Sequence, residues 1–88
     1  MSWKIEVKPT AEKSYLKLDK KTKKRIRKAL KELEQKENPF IHYNVKPLTG
    51  QLQGDYRLRV GDWRLLFTPG KNEKIIHIYA ILPRGGAY

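Results

Sequence analysis

The chain has 88 residues and no cysteine, and its 20 Lys and Arg outnumber its 9 Asp and Glu, which gives a net charge of +11 at pH 7. This length suits one small domain, and the absence of cysteine excludes a disulfide framework or a thiolate zinc site. No apolar run approaches the roughly 18 residues of a membrane span, and the first residues lack a signal-peptide pattern, so we expect a cytoplasmic protein. The basic excess extends over both halves and is typical of proteins that bind polyanions.

The first forty residues predict a strand followed by two helices. Residues 3–7 alternate between apolar and polar side chains, as in a half-buried strand. Thr10 is the expected N-cap of a short helix that stops near Asp19. A second helix begins at Asp19 or Lys20, carries one apolar stripe at helical spacing, and ends at Asn38-Pro39. Its other positions, together with Lys46 further along, form a candidate RNA- or ribosome-binding set: Lys20, Lys21, Lys23, Lys24, Arg27, Lys28 and Lys46.

The second half predicts a loop and then three strands. Residues 40–54 contain two turn signals and are expected to be a loop, residues 56–67 form a hairpin, and residues 74–82 form a central strand that is apolar on both faces. The predicted order is therefore β-α-α-β-β-β. This order indicates an α+β fold in which two N-terminal helices pack on one face of an antiparallel sheet and leave the other face open.

The hairpin carries the most informative pattern in the chain. Gly61-Asp62 is a two-residue turn with glycine first, the type II′ signature, and it sets Val60 opposite Trp63, Arg59 opposite Arg64 and Arg57 opposite Leu66. Tyr56, Leu58, Val60, Trp63, Leu65 and Phe67 then share a core face. The other face collects Arg57, Arg59 and Arg64. Like charges opposite each other destabilise a sheet, so acidic residues elsewhere neutralise this face or it binds an anion.

Other catalytic chemistry has little support in the sequence. His42 lies in a loop and His77 in a strand, without the cluster of ligands that a metal requires. Asp55 and Asp62 occupy positions where aspartate commonly serves a turn. Arginine, by contrast, matches phosphate oxygens and can stabilise the extra charge of a pentavalent transition state. A phosphodiester-cleaving site without metal or histidine is therefore possible, and so is a simple nucleic-acid- or acidic-peptide-binding face.

These residues resemble the RelE/ParE superfamily of toxin–antitoxin toxins, most closely its RelE branch. The resemblance extends over essentially the whole chain, which is expected to be one RelE-like toxin domain, residues 1–88. It rests on three motifs: Leu16-x-Leu18-Asp19, Leu52-x-Gly54-x-Tyr56-Arg57-Leu58-Arg59-Val60-Gly61-Asp62-Trp63-Arg64-Leu65, and Arg84-x-x-x-Tyr88.

The resemblance implies a ribosome-dependent, metal-independent endoribonuclease that cuts messenger RNA in the A site of the small ribosomal subunit and so inhibits translation. Arg57 and Arg59 would orient the RNA backbone and help to activate the 2′-hydroxyl, and Arg64 would stabilise the phosphorane. Arg84 would act on the leaving group and Tyr88 would stack on the scissile base. The implied partners are a RelB-like antitoxin, the ribosome and messenger RNA, with no membrane and no cofactor.

Two alternatives remain open at the level of the sequence. The first is a ParE-type inhibitor of DNA gyrase with the same fold, and the second is a nucleic-acid-binding module without catalytic activity.

Overall fold

A computed structural model describes residues 3–70 and 72–83 of the chain. Within them, five strands form a single sheet in the order β1-β5-β4-β3-β2. Two α-helices follow the first strand, and two single turns of 3₁₀-helix, Pro39–Ile41 and Gly50–Leu52, flank the second. The elements are β1 (Lys4–Val7), α1 (Pro9–Leu16), α2 (Lys20–Gln35), β2 (Val45–Pro47), β3 (Tyr56–Val60), β4 (Trp63–Gly70) and β5 (Ile75–Pro83).

The predicted fold class, α+β with two helices packed on one face of a sheet, is confirmed, with two differences in the sheet. β1 pairs with β5 in parallel, from Lys4 opposite Ile75 to Val7 opposite Ile78, so the sheet is mixed and not wholly antiparallel. β2 is an additional edge strand within the predicted loop 40–54 and pairs antiparallel with β3. β2 has only three residues and ends at a proline, so it is too short to show an alternating pattern.

Both helices form near their predicted positions, but only α2 has the predicted residue at its N-cap. α1 begins at Pro9 with Lys8 at the N-cap position, so the prediction of Thr10 as N-cap is wrong. The hydroxyl of Thr10 instead donates to the carbonyl of Tyr79 at 3.0 Å and ties the helix to β5. α2 begins where predicted, because the Asp19 carboxylate accepts from the backbone N–H of Thr22 and caps the helix.

The core lies between the helices and one face of the sheet. The hairpin of β3 and β4 has the predicted register, with Arg59 opposite Arg64. Gly61 has a positive φ of 58°, as the first central position of a type II′ turn requires. The predicted core face of the hairpin packs with α2, where Ile26 and Leu33 are fully buried. The helices therefore cover this face and leave the arginine-bearing face of the hairpin free.

A β-bulge in β5 changes which side chains reach the open face. Leu66 lies opposite Ala80 while the next residue of β4, Phe67, lies opposite Ile78, so Tyr79 is an extra residue in β5. In a regular strand Tyr79 and Ile81 would share a face, but here they lie on opposite faces. Ile81 is buried in the core, whereas both Tyr79 and Ala80 line a groove on the open face. Bulges commonly redirect a side chain in this way.

Candidate functional site

The open face of the sheet carries a groove of about 810 Å³. Its floor is apolar and comes from the two central strands, through Leu66, Ala80 and Leu82. One wall is the segment from β2 to the following 3₁₀-turn, which contributes Lys46, Thr49 and Gln51 among others, and Arg57 and Tyr79 complete the lining. The groove thus combines an apolar floor with cations, an aromatic ring and polar side chains. This mixture is typical of ligand sites.

Arg57 is the arginine of the hairpin that lines this groove. It sits on β3 between Lys46 of β2 and Leu66 of β4, and its side chain is half-buried. Within residues 3–70 and 72–83, its buried Nε has no hydrogen-bond partner and no acidic side chain forms an ion pair with this arginine. A buried donor without an acceptor costs about 1–3 kcal/mol. Arg57 therefore lines the groove with a guanidinium that no acidic side chain among the described residues neutralises.

Arg59 and Arg64 share the face of Arg57 but lie closer to the tip of the hairpin. They are directly opposite each other, and Arg59 is exposed. Nη1 of Arg64 donates to the carbonyl of Gly61 at 3.3 Å and to that of Trp63 at 3.2 Å, which holds the guanidinium beside the turn. The three arginines thus form an elongated cationic strip, with Arg57 in the groove and the other two beyond its lining.

Tyr79 and Asp55 form a hydrogen-bonded pair at the groove. The Tyr79 hydroxyl donates to Oδ2 of Asp55 at 2.8 Å, and the Thr68 hydroxyl donates to Oδ1 at 2.9 Å. Burial, followed by the hydrogen bond and the charge of Asp55, raises the pKa of Tyr79 to about 12. The hydroxyl therefore remains a donor at physiological pH. Asp55 was predicted only to serve a turn, and no local pattern reveals this pair because its two residues lie 24 positions apart in the chain.

The basic residues predicted to bind RNA fall into two separate places. Lys46 lines the groove, whereas the others lie on α2, which covers the opposite face of the sheet. The remaining members of the set on this helix are Lys20, Lys21, Lys23, Lys24, Arg27 and Lys28. Arg25, which is not in the predicted set, also lies on α2 and reaches the turn of the hairpin: a Cβ placed on Gly61 would lie 3.1 Å from its Nη2. The positive charge of α2 therefore extends to the tip of the hairpin.

Two predicted site residues, Arg84 and Tyr88, lie outside the described residues. Residues 3–70 and 72–83 contain no group of three or more His, Asp or Glu side chains placed to hold a metal ion. Both histidines have local partners: Nδ1 of His42 accepts from the Asn44 backbone N–H at 3.0 Å, and Nδ1 of His77 lies 3.2 Å from a Glu6 carboxylate oxygen. In the same part of the chain, no helix combines the length and apolar character needed to cross a membrane.

The fold and its surface define a small α+β protein with a basic helix on one side and a cationic groove on the other. The sequence model of the family described as the ParE toxin of the type II toxin–antitoxin system parDE matches residues 5–88. The chain therefore belongs to this family, within the RelE/ParE superfamily, and is a toxin of a type II toxin–antitoxin system.

Solved structures show the same fold over nearly the whole chain. The archaeal RelE–RelB complex from Pyrococcus horikoshii is 28% identical with a TM-score of 0.79, and the match covers 99% of this chain and 100% of that one. The isolated Escherichia coli RelE toxin is 18% identical with a TM-score of 0.77, over 98% of this chain and 88% of that one. The YoeB–YefM complex from Staphylococcus aureus is 24% identical with a TM-score of 0.72, and all of both chains is covered. No curated protein gives a significant match.

Proposed function

We propose that this toxin is a metal-independent endoribonuclease that cuts messenger RNA in the ribosomal A site and so stops translation in the cytoplasm. The observation that carries this proposal is Arg57, a half-buried arginine on an open groove whose charge no acidic side chain among the described residues neutralises. A phosphate oxygen is an acceptor of the charge and geometry that a guanidinium favours. The uncovered face of the sheet leaves room for an RNA strand to reach it.

The reaction is an attack of the 2′-hydroxyl on the adjacent phosphate. The O2′–P bond forms and the P–O5′ bond breaks, which gives a 2′,3′-cyclic phosphate and a 5′-hydroxyl. The 2′-hydroxyl loses one proton and the O5′ leaving group gains one, so the step is balanced and involves no change of oxidation state. The cationic strip stabilises the additional negative charge of the pentavalent phosphorus. In this scheme Arg57 and Arg59 orient the backbone, and Arg64 stabilises the phosphorane.

The C-terminal residues complete the proposed site. Arg84 acts on the leaving group, and Tyr88 stacks on the scissile base. The basic face of α2 docks on ribosomal RNA, where its lysines displace counterions from phosphates. A RelB-like antitoxin neutralises the toxin by covering the same basic surface.

The experiment that tests this proposal is incubation with ribosomes programmed with a defined message, followed by mapping of the 5′ ends. The purified toxin is expected to cut the message at the A-site codon only when ribosomes are present, and without added metal beyond that which the ribosomes need. Arg57→Ala and Arg64→Ala are each expected to lower the cleavage rate by about 10²–10³-fold, as for loss of one donor to a charged transition state. The matched control is Lys13→Ala, which removes a charge from an exposed position of α1.

Cleavage by both arginine variants at the parental rate would contradict the proposed site. Absence of cleavage by the parent toxin would contradict the proposed activity. Loss in the arginine variants alone, with melting temperatures no lower than that of the parent, supports both.

Inhibition of DNA gyrase is a second candidate function, because the family model that matches residues 5–88 describes the ParE toxin. The two functions separate in parallel assays. A gyrase inhibitor blocks supercoiling of relaxed plasmid and leaves programmed ribosomes intact, whereas the proposed nuclease does the reverse. RNA binding without either activity would indicate a binding module.

A further inference from the structure

We propose that the groove beside Arg57 is a binding subsite for one unpaired RNA nucleotide, whose base packs against Tyr79. This inference rests on the proposed function, because RNA is the ligand in both. It adds a residue, Tyr79, that no motif of the sequence assigns to the site. It also assigns a role to the apolar floor of the groove, since binding of a phosphate by the cationic strip would not require such a floor.

The composition of the groove fits a nucleotide better than a bare phosphate. The cations Arg57 and Lys46 would suffice to bind a phosphate, yet the floor beside them is apolar. An apolar floor does not stabilise an inorganic anion, but it packs well against the flat face of a base. Single-stranded nucleic acids are commonly held by this combination of a positive groove and an aromatic ring. The cavity of about 810 Å³ is large enough for one nucleotide.

Tyr79 is held in place before any ligand arrives. Its hydroxyl is bound to Asp55, and Asp55 is bound in turn by Thr68. A ring that is already fixed loses little conformational entropy when a base packs against it. Tyr79 follows buried Ile76 and Ile78 in regular alternation, which places its ring on the open face, and the bulge sets Ala80 on the same face beside it. The strand register and the Asp55 hydrogen bond together present an aromatic surface beside Arg57.

The wall opposite β5 supplies groups that can distinguish bases. Thr49 and Gln51 are exposed, line the groove and belong to the segment that follows β2. An amide has both donors and an acceptor, so it can bind the edge of a base whose face lies against an aromatic ring. Gln51 is therefore the residue expected to influence which nucleotide is preferred.

The test uses the full-length toxin without ribosomes and a trinucleotide made of 2′-deoxy units, which lacks the attacking hydroxyl and is not cleaved. Binding is measured by NMR titration. Tyr79→Ala is expected to weaken binding by about 5- to 150-fold, the range found when a stacking side chain is truncated. Tyr79→Phe retains the ring but loses the hydrogen bond to Asp55, so its affinity is expected to lie between those of the parent and Tyr79→Ala. Tyr43→Ala, at a highly exposed tyrosine outside the groove lining, is the matched control and leaves binding unchanged.

An abasic version of the central nucleotide separates base packing from phosphate binding. The parent toxin is expected to bind it as weakly as Tyr79→Ala binds the normal trinucleotide, and Tyr79→Ala should weaken it no further. Gln51→Ala is expected to change the order of preference among the four bases and to leave abasic binding unchanged. Tyr79→Leu, which keeps apolar volume at this position, repeats the test if the alanine variant does not fold.

Parental affinity in both Tyr79→Ala and Tyr79→Leu would overturn the inference, as would equal binding of the normal and abasic trinucleotides. An acidic peptide that competes for the groove and is equally sensitive to Tyr79→Ala would also overturn it, in favour of a peptide site. The outcome is independent of the ribosome assay. Binding that depends on Tyr79 without any cleavage would retain the subsite and reject the proposed activity, whereas cleavage without dependence on Tyr79 would do the opposite.

Discussion

Replacement of Arg64 by glutamate is expected to make the toxin more stable and inactive at the same time. Arg59 and Arg64 face each other across the hairpin, and no acidic side chain among the described residues forms an ion pair with either of them. The chain therefore tolerates an unfavourable cross-strand pair on the face that we propose binds RNA. Arg64→Glu converts this repulsion into attraction and removes a cation from the site.

The size of the effect follows from three contributions. The free energy of unfolding rises by about 0.2–1 kcal/mol when the like-charged pair is removed, and by about the same amount again when an oppositely charged pair replaces it. Loss of the two hydrogen bonds from Nη1 to the carbonyls of Gly61 and Trp63, at 3.3 and 3.2 Å, opposes this gain. These bonds are long and lie at a solvent-accessible turn, so their loss costs about 0.5 kcal/mol. The three contributions sum to about −0.1 to +1.5 kcal/mol, and the central value of about 0.7 kcal/mol raises the melting temperature of a chain this small by about 3–6 °C.

Differential scanning calorimetry in low salt measures the shift, and the ribosome assay measures activity. A double-mutant cycle with Arg59→Ala provides the control, because the gain from Arg64→Glu should shrink when the opposite cation is absent. High salt should also reduce the gain, since screening weakens exposed charge interactions. A lower melting temperature for Arg64→Glu in both backgrounds would refute the reasoning on stability. Cleavage at the parental rate would refute the role of Arg64 in the site.

Two further predictions concern groups whose pKa differs between the folded and unfolded chain. The hydroxyl of Thr22 lowers the pKa of Asp19 below its ordinary 3.8. The stability that Asp19 contributes is therefore present above pH 3.8 and is lost as pH falls through the folded pKa. Urea denaturation should show Asp19→Ala less stable than the parent near neutral pH and equal to it in strong acid. The pKa of Tyr79 is raised from 10.0 to about 12, so the stability that it contributes is complete below pH 10 and is lost as pH rises toward 12. Tyr79→Phe should remove this alkaline loss, and an unchanged alkaline profile would contradict the hydrogen bond to Asp55.

The sequence predicts the hairpin well because two local rules determine it. Period-two alternation separates the core face from the arginine face, and a two-residue turn beginning with Gly61 sets the register. Both rules act within one short segment, so tertiary contacts have little scope to override them. The start of α2 is predicted for a similar reason, since the side chain of Asp19 caps its own helix within one turn.

The features that the sequence does not predict depend on contacts between distant segments. β2 forms by pairing with the edge of β3, where Val45 lies opposite Leu58. Its own three residues are too few to show a strand pattern. The parallel pairing of β1 follows from where the two helices return the chain. The bulge at Tyr79 leaves no mark in a strand that is apolar on both faces, because a shift by one residue exchanges one apolar side chain for another.

Arg57 on β3 and Tyr79 on β5 meet at the groove, but their positions depend on the fold in different ways. Any arginine of the hairpin can be replaced without altering the core, because its side chain lies on the face that the helices do not cover. Tyr79 is different, since its position depends on the register of β5 against β4, and Ile78 and Ile81 on either side of the bulge are buried. A residue inserted or deleted in β5 would therefore displace core side chains as well as the ring. Changes of charge in the site should thus alter function while the fold is retained, whereas changes in the register that places Tyr79 should impair both.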